Sequence, residues 1–557
     1  MINNFIHLLK TSGIKDVCIS PGLRNTIISL GFIKNGFNCH SILDERSSAY
    51  FALGMSLKTK RPSVLICTSG TATANYLPAI IEASQSKVPI IIITADRPRE
   101  LLNTGENQTI NQKSIYGDFV RSSLSFDNSE DVIDKINDSL KFININNSKI
   151  TIGPIHFNIH LDDFEKENEN IINKLIPSTR SNVINTYNFN WDSIPFEDTF
   201  NIHNYQKPLI ILGRLSQKLD SKLIFKLSKH LKAPILTDPL SQLRFSDVDS
   251  LNLYEHYIDQ SHIQPDLIIR IGQKPVSKKL NKKITKLEND GIEHLNFSSL
   301  LIDESGQFND NASTILKVHY KEFIHFILNN TKENHNNTFY NDMYQLEQTV
   351  SNIIDADSSW SELGIAKTCL LSIKNKENLV IGNSMPIRYI DMLGSLNINR
   401  HINMYSNRGA SGIDGVIATS LGIASKSKHQ TTLLIGDLSF IYDQSSLMLA
   451  KQLKINLTIV IINNNGGGIF SLLPVANSFD KATFTKYWTT PQKINIEDIA
   501  ALYSSNYSIT KTIQGLKKAI KISHKNLGIN IIEAQIDIKH NKKQIEDLKN
   551  KIKKGIV

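Results

Sequence analysis

Cysteine is scarce in this chain: four in 557 residues, at positions 18, 39, 67 and 369. No two stand in a CxxC spacing, which argues against a disulfide framework or a cysteine-based zinc site. Cys18 and Cys67 lie in apolar runs and are expected to be small buried residues. No run of 18 apolar residues occurs, so no membrane-spanning helix is expected. The N-terminal MINNFIHLLKTSGIKD lacks a charged segment, a long apolar stretch and a small-residue cleavage site in succession. It does not read as a secretory leader, and the expected location is cytoplasmic. HExxH is missing, and none of the 16 histidines, His156 included, shows metal-ligand spacing. No strand-like run opens into GxGxxG, which disfavours a dinucleotide oxidoreductase. Charge of one sign is also short of a patch. The chain carries 62 Lys+Arg against 53 Asp+Glu, net +9, but the surplus is scattered. Its densest part, HNKKQIEDLKNKIKKGIV, mixes acids with bases and reads as a solvated helix. Without interleaved aromatic and basic residues, a nucleic-acid partner is not expected.

What the chain does have is a repeated strand–turn–helix pattern. KDVCISPGLRNTIISLGFI and RPSVLICTSGTATANYLPAIIEASQS both read this way, and VPIIIITADRPRE is a strand apolar on both faces. The length implies two to four domains. The divisions expected are a first α/β block over 1–163, a polar Asn-rich linker over 164–195, a central α/β block over 196–350 and a third over 351–557. Each block is expected to be a mainly parallel sheet flanked by helices. The polar words PGLRN, TSGT, TADRPRE, GNSMPIR, NRGASG, GDLS and NNNGGG fall at strand ends, where open parallel sheets bind ligands.

Two of these words suggest a metal. Asp437 follows the apolar run TTLLIG and Asn464 follows INLTIVIIN, 27 residues later (464 − 437). A strand, crossover helix and parallel strand take about 30 residues. On neighbouring strands, one carboxylate and one amide oxygen suit Mg²⁺, which takes few protein ligands and completes its shell with phosphate and water. Gly466–Gly468 would leave backbone free to approach a phosphate or offer a carbonyl. Each residue alone also reads as a helix cap or a turn former. Arg24, Arg97, Arg388 and Arg408 follow strand-like runs, and four guanidinium groups at a ligand-binding edge suit polycarboxylates. Taken singly, each is also a candidate for a surface salt bridge.

GDLSF followed by NNNGGG resembles the pyrophosphate motif of thiamin-diphosphate enzymes, with Leu438 where most have glycine. Together with SNRGASGIDG, INNNGGGIFSLLP, SPGLRN, LDERSSAYFALGMSL, CTSGTATANYLPA, TADRPRELLNTGENQTINQ and TDPLSQLR, it is similar more narrowly to one family. This is the SEPHCHC synthase (2-succinyl-5-enolpyruvyl-6-hydroxy-3-cyclohexene-1-carboxylate synthase) family of menaquinone biosynthesis. The resemblance implies a three-domain thiamin-diphosphate-enzyme architecture: pyrimidine-binding, central and pyrophosphate-binding. It implies a transferase that decarboxylates 2-oxoglutarate and adds the succinyl unit to isochorismate. Thiamin diphosphate is the implied cofactor, with Mg²⁺ or Mn²⁺ held by Asp437, Asn464 and Gly466.

By the same resemblance Glu45 meets the cofactor pyrimidine as the catalytic carboxylate; the carbanion chemistry is the cofactor's. Leu438, Ser439, Ile413, Ile469 and Phe470 surround the cofactor. Arg24, Arg97, Gln108, Lys278, Lys279, Ser384, Arg388 and Arg408 contact substrate. A homo-oligomer with active sites between subunits is implied. The family's SPGSR reads SPGLR here, so Leu23 replaces a serine that would donate to a substrate carboxylate. Two other readings stand beside this one. Another thiamin-diphosphate carboligase or decarboxylase is disfavoured by the four arginines. An inactive nucleotide-binding scaffold is disfavoured by Glu45, Asp437 and Asn464 occurring together.

Overall fold

A computed structural model of the chain describes residues 2–127, 132–144, 152–162, 205–215, 219–246, 249–289, 293–297, 314–316, 319–394 and 400–556. The expected linker at 164–195 lies outside the described residues. Among the described residues there are three sheets, and all of their pairings are parallel. The first holds β1 (Asp16–Ile19), β2 (Asn38–Ser41), β3 (Ser63–Cys67), β4 (Ile90–Asp96), β5 (Ser122–Asp127) and β6 (Ile155–His160), in the order β2-β1-β3-β4-β6-β5. The second holds β7 (Pro208–Leu212), β8 (Ile235–Thr237), β9 (Leu267–Ile271), β10 (Glu293–Phe297) and β11 (Thr314–Leu316), in the order β11-β10-β9-β7-β8. The third holds β12 (Asn378–Ile381), β13 (Asn403–Tyr405), β14 (Thr431–Gly436), β15 (Leu457–Asn463), β16 (Asn506–Thr510) and β17 (Ile529–Gln535), in the order β13-β12-β14-β15-β17-β16.

Numbered from its own first strand, the third sheet reads 2-1-3-4-6-5, the order of the first. The second, read from its other edge, is 2-1-3-4-5. In each, the chain reverses its direction of travel between the first and third strands. Ligands bind beyond the carboxyl ends of parallel strands at such a switch point, because the two connections diverge and leave a crevice. In the first sheet that point lies beyond β1 and β3, which run into SPGLRN and TSGT. In the third it lies beyond β12 and β14, which run into GNSMPIR and DLSF.

The chain forms two compact units. The first carries the first sheet together with Asn407–Lys428 and Asp443–Asn456; the second carries the second and third sheets. β4, IIIITAD, is buried along its whole length, as expected for a strand covered on both faces. In the first unit the helix Glu45–Thr59 is buried from Ser47 to Leu57 and packs on the helix Val416–Ser425. Glycines permit that approach. A Cβ on Gly54 would stand 2.1 Å from the Thr419 carbonyl oxygen, and one on Gly422 would stand 2.1 Å from that of Phe51.

In the second unit TDPLSQLR has a structural explanation. Arg244 is buried, pairs with Asp391 at 3.3 Å and donates to the carbonyls of Thr237 and Asn252. It therefore ties the end of β8 to the helix Met385–Asp391. The basic C-terminal segment is a helix, Ile538–Gly555, but not a fully solvated one. Asn541, Ile545, Leu548 and Ile552 recur at helical spacing and are buried. All four cysteines are free; Cys18, Cys67 and Cys369 are buried. Among the described residues no helix is long and apolar enough to cross a membrane.

Candidate active site

β14 and β15 are parallel neighbours, with Gly436 in register with Ile462. Asp437 and Asn464 therefore emerge at the same sheet edge, as their spacing predicts. Asp437 is 6% exposed. Its Oδ2 accepts from the Gly466 backbone N–H at 2.7 Å and its Oδ1 from that of Leu438 at 2.9 Å. Burial pushes its carboxyl up to about 6, the nearby Glu362 charge adds to the rise, and the two N–H bonds oppose it. Ser439 is buried in the first turn of the same short helix, Asp437–Tyr442. Asn464 donates from Nδ2 to Glu362 Oε1 at 2.8 Å, while its Oδ1 is buried with no hydrogen-bond partner among the described residues.

An orphaned buried oxygen costs about 1–3 kcal/mol, so one in a native site calls for a partner. A divalent cation would be a fitting one, to which the Asp437 carboxylate and the Gly466 carbonyl could add further hard oxygens. Among the described residues no group of three or more His, Cys, Asp or Glu side chains is placed to hold a metal. The glycine at 466 is required: its φ is +136°, and a Cβ there would stand 2.3 Å from the Thr489 carbonyl oxygen. Ile469 and Phe470 follow in the 3₁₀ turn Gly468–Leu472, half-buried at the surface rather than in a core.

The second unit also holds Ser384, Arg388, Lys278 and Lys279. Ser384 sits at φ +69° just past β12, a strained conformation for a non-glycine residue and one that clusters at functional sites. Its carbonyl accepts from the Arg388 guanidinium. Arg388 lies inside the helix Met385–Asp391. Lys278 opens the helix Lys278–Asn289 and is exposed, while Lys279 pairs with Asp259 at 3.1 Å on the surface.

The first unit gathers the remaining candidates. Glu45 is the first residue of its helix, capped by Asp44, whose Oδ1 accepts from the Ser47 N–H at 3.2 Å. Asn75 Nδ2 lies 3.5 Å from Glu45 Oε2, and the adjacent Arg46 pairs with Asp443 at 3.5 Å. Arg97 and Gln108 meet at the turn after β3. Arg97 donates to Ser69 Oγ at 3.0 Å and to the Asn107 carbonyl at 2.7 Å; Gln108, at φ +57°, donates to the Ser69 carbonyl at 2.8 Å. Arg24 is buried, and its guanidinium donates to the Leu161 carbonyl. These two arginines are buried and already engage backbone carbonyls. Leu23 is 64% exposed.

Sequence reasoning missed three residues. Gln112, 1% exposed, accepts from the Gly70 N–H at 2.8 Å and donates to Ala95 and Asn158, so it ties the TSGT turn to β4 and β6. Glu82, 2% exposed, grips the loop bearing Arg408 and Ile413. It accepts from the N–H groups of Gly409 (2.7 Å), Ala410 (2.7 Å) and Ser411 (3.3 Å). Glu362 is the third. A lone acid in an otherwise apolar helix, LPAIIEASQ, is the one local signal for Glu82. Asp414 in the same loop accepts from Tyr50 Oη at 2.6 Å. Glu82→Gln exchanges an anionic acceptor for an amide. Hydrogen exchange at Gly409, Ala410 and Ser411 should then accelerate about tenfold or more, since bonds to a charged group are worth about 1.5–3 kcal/mol each. Unchanged protection at all three amides would show that the loop is held by other contacts.

Residues 3–115 match the thiamine pyrophosphate enzyme, N-terminal TPP binding domain, and 391–534 the corresponding C-terminal TPP binding domain. A 2-succinyl-5-enolpyruvyl-6-hydroxy-3-cyclohexene-1-carboxylate synthase of Bacillus pumilus is 32% identical over 97% of this chain and 96% of its own length. One of Listeria innocua is 33% identical over 98% of this chain and 96% of its own. The crystal structure of benzoylformate decarboxylase from Polynucleobacter necessarius superposes with a TM-score of 0.73 at 17% identity, covering 96% of this chain and 98% of that one, a likeness of fold. Full-length identity above 30%, with both cofactor-binding domains matched, means that the chain belongs to the 2-succinyl-5-enolpyruvyl-6-hydroxy-3-cyclohexene-1-carboxylate synthase family of thiamin-diphosphate enzymes.

Proposed function

We propose that the protein is a SEPHCHC synthase of menaquinone biosynthesis. It decarboxylates 2-oxoglutarate and joins the remaining four-carbon succinyl unit to isochorismate, using thiamin diphosphate and Mg²⁺ or Mn²⁺. The observation that carries this reading is the Asp437 carboxylate beside the orphaned Asn464 oxygen, in a chain similar to the family along its whole length. Bound thiamin diphosphate supplies the carbanion chemistry. The chain's own residues do the rest. Asp437, the Asn464 side-chain oxygen and the Gly466 carbonyl hold the cation, with Leu438 and Ser439 beside them. Glu45 holds a proton at the cofactor's pyrimidine nitrogen. Ile413, Ile469 and Phe470 supply apolar surface that excludes water. Arg24, Arg97, Gln108, Ser384, Arg388 and Arg408, with Lys278 and Lys279, bind and orient the carboxylates of two dicarboxylic substrates.

In domain terms, 1–163 binds the pyrimidine, 196–350 is central and 351–557 binds the pyrophosphate. The proposal includes a cytoplasmic homo-oligomer with active sites between subunits. The test is incubation with 2-oxoglutarate, isochorismate, thiamin diphosphate and Mg²⁺, following CO₂ release and loss of the isochorismate absorbance together. Both should proceed, and only when both substrates are present. Turnover of pyruvate alone would instead make this a different 2-oxoacid carboligase or decarboxylase.

The exposed Leu23 gives a finer test. A leucine cannot donate to a carboxylate, and a hydrogen bond to a charged group is worth about 1.5–3 kcal/mol. Leu23→Ser is therefore expected to lower KM for isochorismate by between a few-fold and about a hundredfold, at tenfold per ~1.4 kcal/mol. An unchanged or higher KM would mean that this turn binds substrate by other groups, and would remove the support for Arg24 as a ligand.

A further inference from the structure

We propose that Glu362 is a positioning residue for the cation site, fixing the Asn464 amide so that its oxygen, and not its nitrogen, faces the ion. This rests on reading Asp437 and Asn464 as cation donors. An asparagine amide has two ends of nearly equal size and opposite chemistry: one accepts, the other donates. Turned by half a revolution, Asn464 would present N–H groups to a cation. A carboxylate on the other side settles the choice, because when ionised it can only accept.

Glu362 meets that description. It is 3% exposed, and its Oε1 accepts from Asn464 Nδ2 at 2.8 Å. Its main chain is anchored on both sides. Its own N–H donates to Asn541 Oδ1 at 2.8 Å, and the preceding Ser361 caps the helix Glu362–Ser372 by accepting from Gly364 N at 2.9 Å. Gly468 also approaches the amide nitrogen, since a Cβ on that glycine would stand 2.4 Å from it. The nitrogen thus lies close to both a carboxylate and a glycine, and the oxygen is left buried with no hydrogen-bond partner among the described residues. The plainer role for Glu362 is that of an acid in the first turn of a helix, favoured by the helix dipole. That role concerns stability alone and has no bearing on which end of Asn464 faces an ion.

The test is Mn²⁺ affinity of the full chain in the presence of thiamin diphosphate, read by electron paramagnetic resonance, with thermal unfolding of the metal-free protein recorded alongside. Glu362→Met removes the acceptor at similar size and is expected to weaken Mn²⁺ binding about 10- to 100-fold, the usual effect of losing a partner that orients a metal ligand. Glu362→Gln retains an acceptor oxygen and is expected to recover most of that loss. In an Asn464→Asp background both ends of the side chain are oxygens, so Glu362→Met should there cost nothing. Three outcomes would overturn the proposal: Mn²⁺ affinity of Glu362→Met within about threefold of the parent, a lowered unfolding temperature with unchanged affinity, or the same loss in both backgrounds. If Asp437→Ala also binds Mn²⁺ normally, the cation site itself has been misread. If Asp437→Ala fails to bind while Glu362→Met binds normally, only the positioning role is lost.

Discussion

Glu45→Gln is expected to lower turnover by about 10²- to 10⁴-fold while leaving thiamin diphosphate binding nearly unchanged. The size is that of one positioned acid–base group. The separation of the two effects follows from the local structure. Glu45 opens a buried helix whose start is fixed by its neighbours: Asp44 caps Ser47, and Arg46 pairs with Asp443. Glutamine matches glutamate in shape, so the helix and its packing should persist and only the proton-holding capacity at the pyrimidine nitrogen is lost. Steady-state kinetics and calorimetric titration of the cofactor check the two halves separately. Activity within about threefold of the parent would remove Glu45 from the catalytic role.

Asp437→Ala is expected to abolish measurable Mg²⁺ binding and to weaken thiamin diphosphate binding by about 100-fold or more, because the ion joins protein to pyrophosphate. Two effects coincide in this variant. It removes the only carboxylate of the proposed donor set, and it leaves the Gly466 N–H without its acceptor. Asp437→Asn separates them: the amide oxygen can still accept from Gly466, but the charge is gone. If the charge holds the ion, both variants lose it. If alanine fails and asparagine binds normally, the carboxylate serves to shape the loop. Calorimetric titration with Mg²⁺ and cofactor distinguishes these cases, and unchanged affinity in both variants would place the ligand elsewhere.

Both experiments depend on residues legible from the sequence, whereas the residues that support them were not. Apolar runs ending in polar words marked the strand ends, because a strand buried on both faces leaves few positions for function except its carboxyl end. The 27-residue spacing of Asp437 and Asn464 encoded a β–α–β unit, and the structure places their strands side by side. The long motifs also carried the family, since they hold residues constrained by chemistry. Local pattern could not show what those residues hold on to. Arg24 and Arg97, read as substrate cations, also donate to the carbonyls of Leu161 and Asn107. Lys279, read as a substrate contact, also pairs with Asp259 at the surface. The basic tail looked solvated because its lysines outnumber its isoleucines, yet a helix needs only one apolar stripe to pack.

The two acids that organise the candidate loops are the clearest case. Glu82 grips amides 327 to 329 residues away, and Glu362 orients an amide 102 residues away. In sequence each is one more acid in or beside a helix, with no periodicity or spacing to single it out. By itself the sequence determined the order of elements and the faces they bury, and it named the candidate side chains, because these depend on neighbours a few residues apart. Only the tertiary structure decided which strand lies beside which, and which buried carboxylate satisfies which loop. A carboxylate buried without a hydrogen-bond partner is costly, and the partner that relieves that cost is chosen by packing rather than by proximity along the chain.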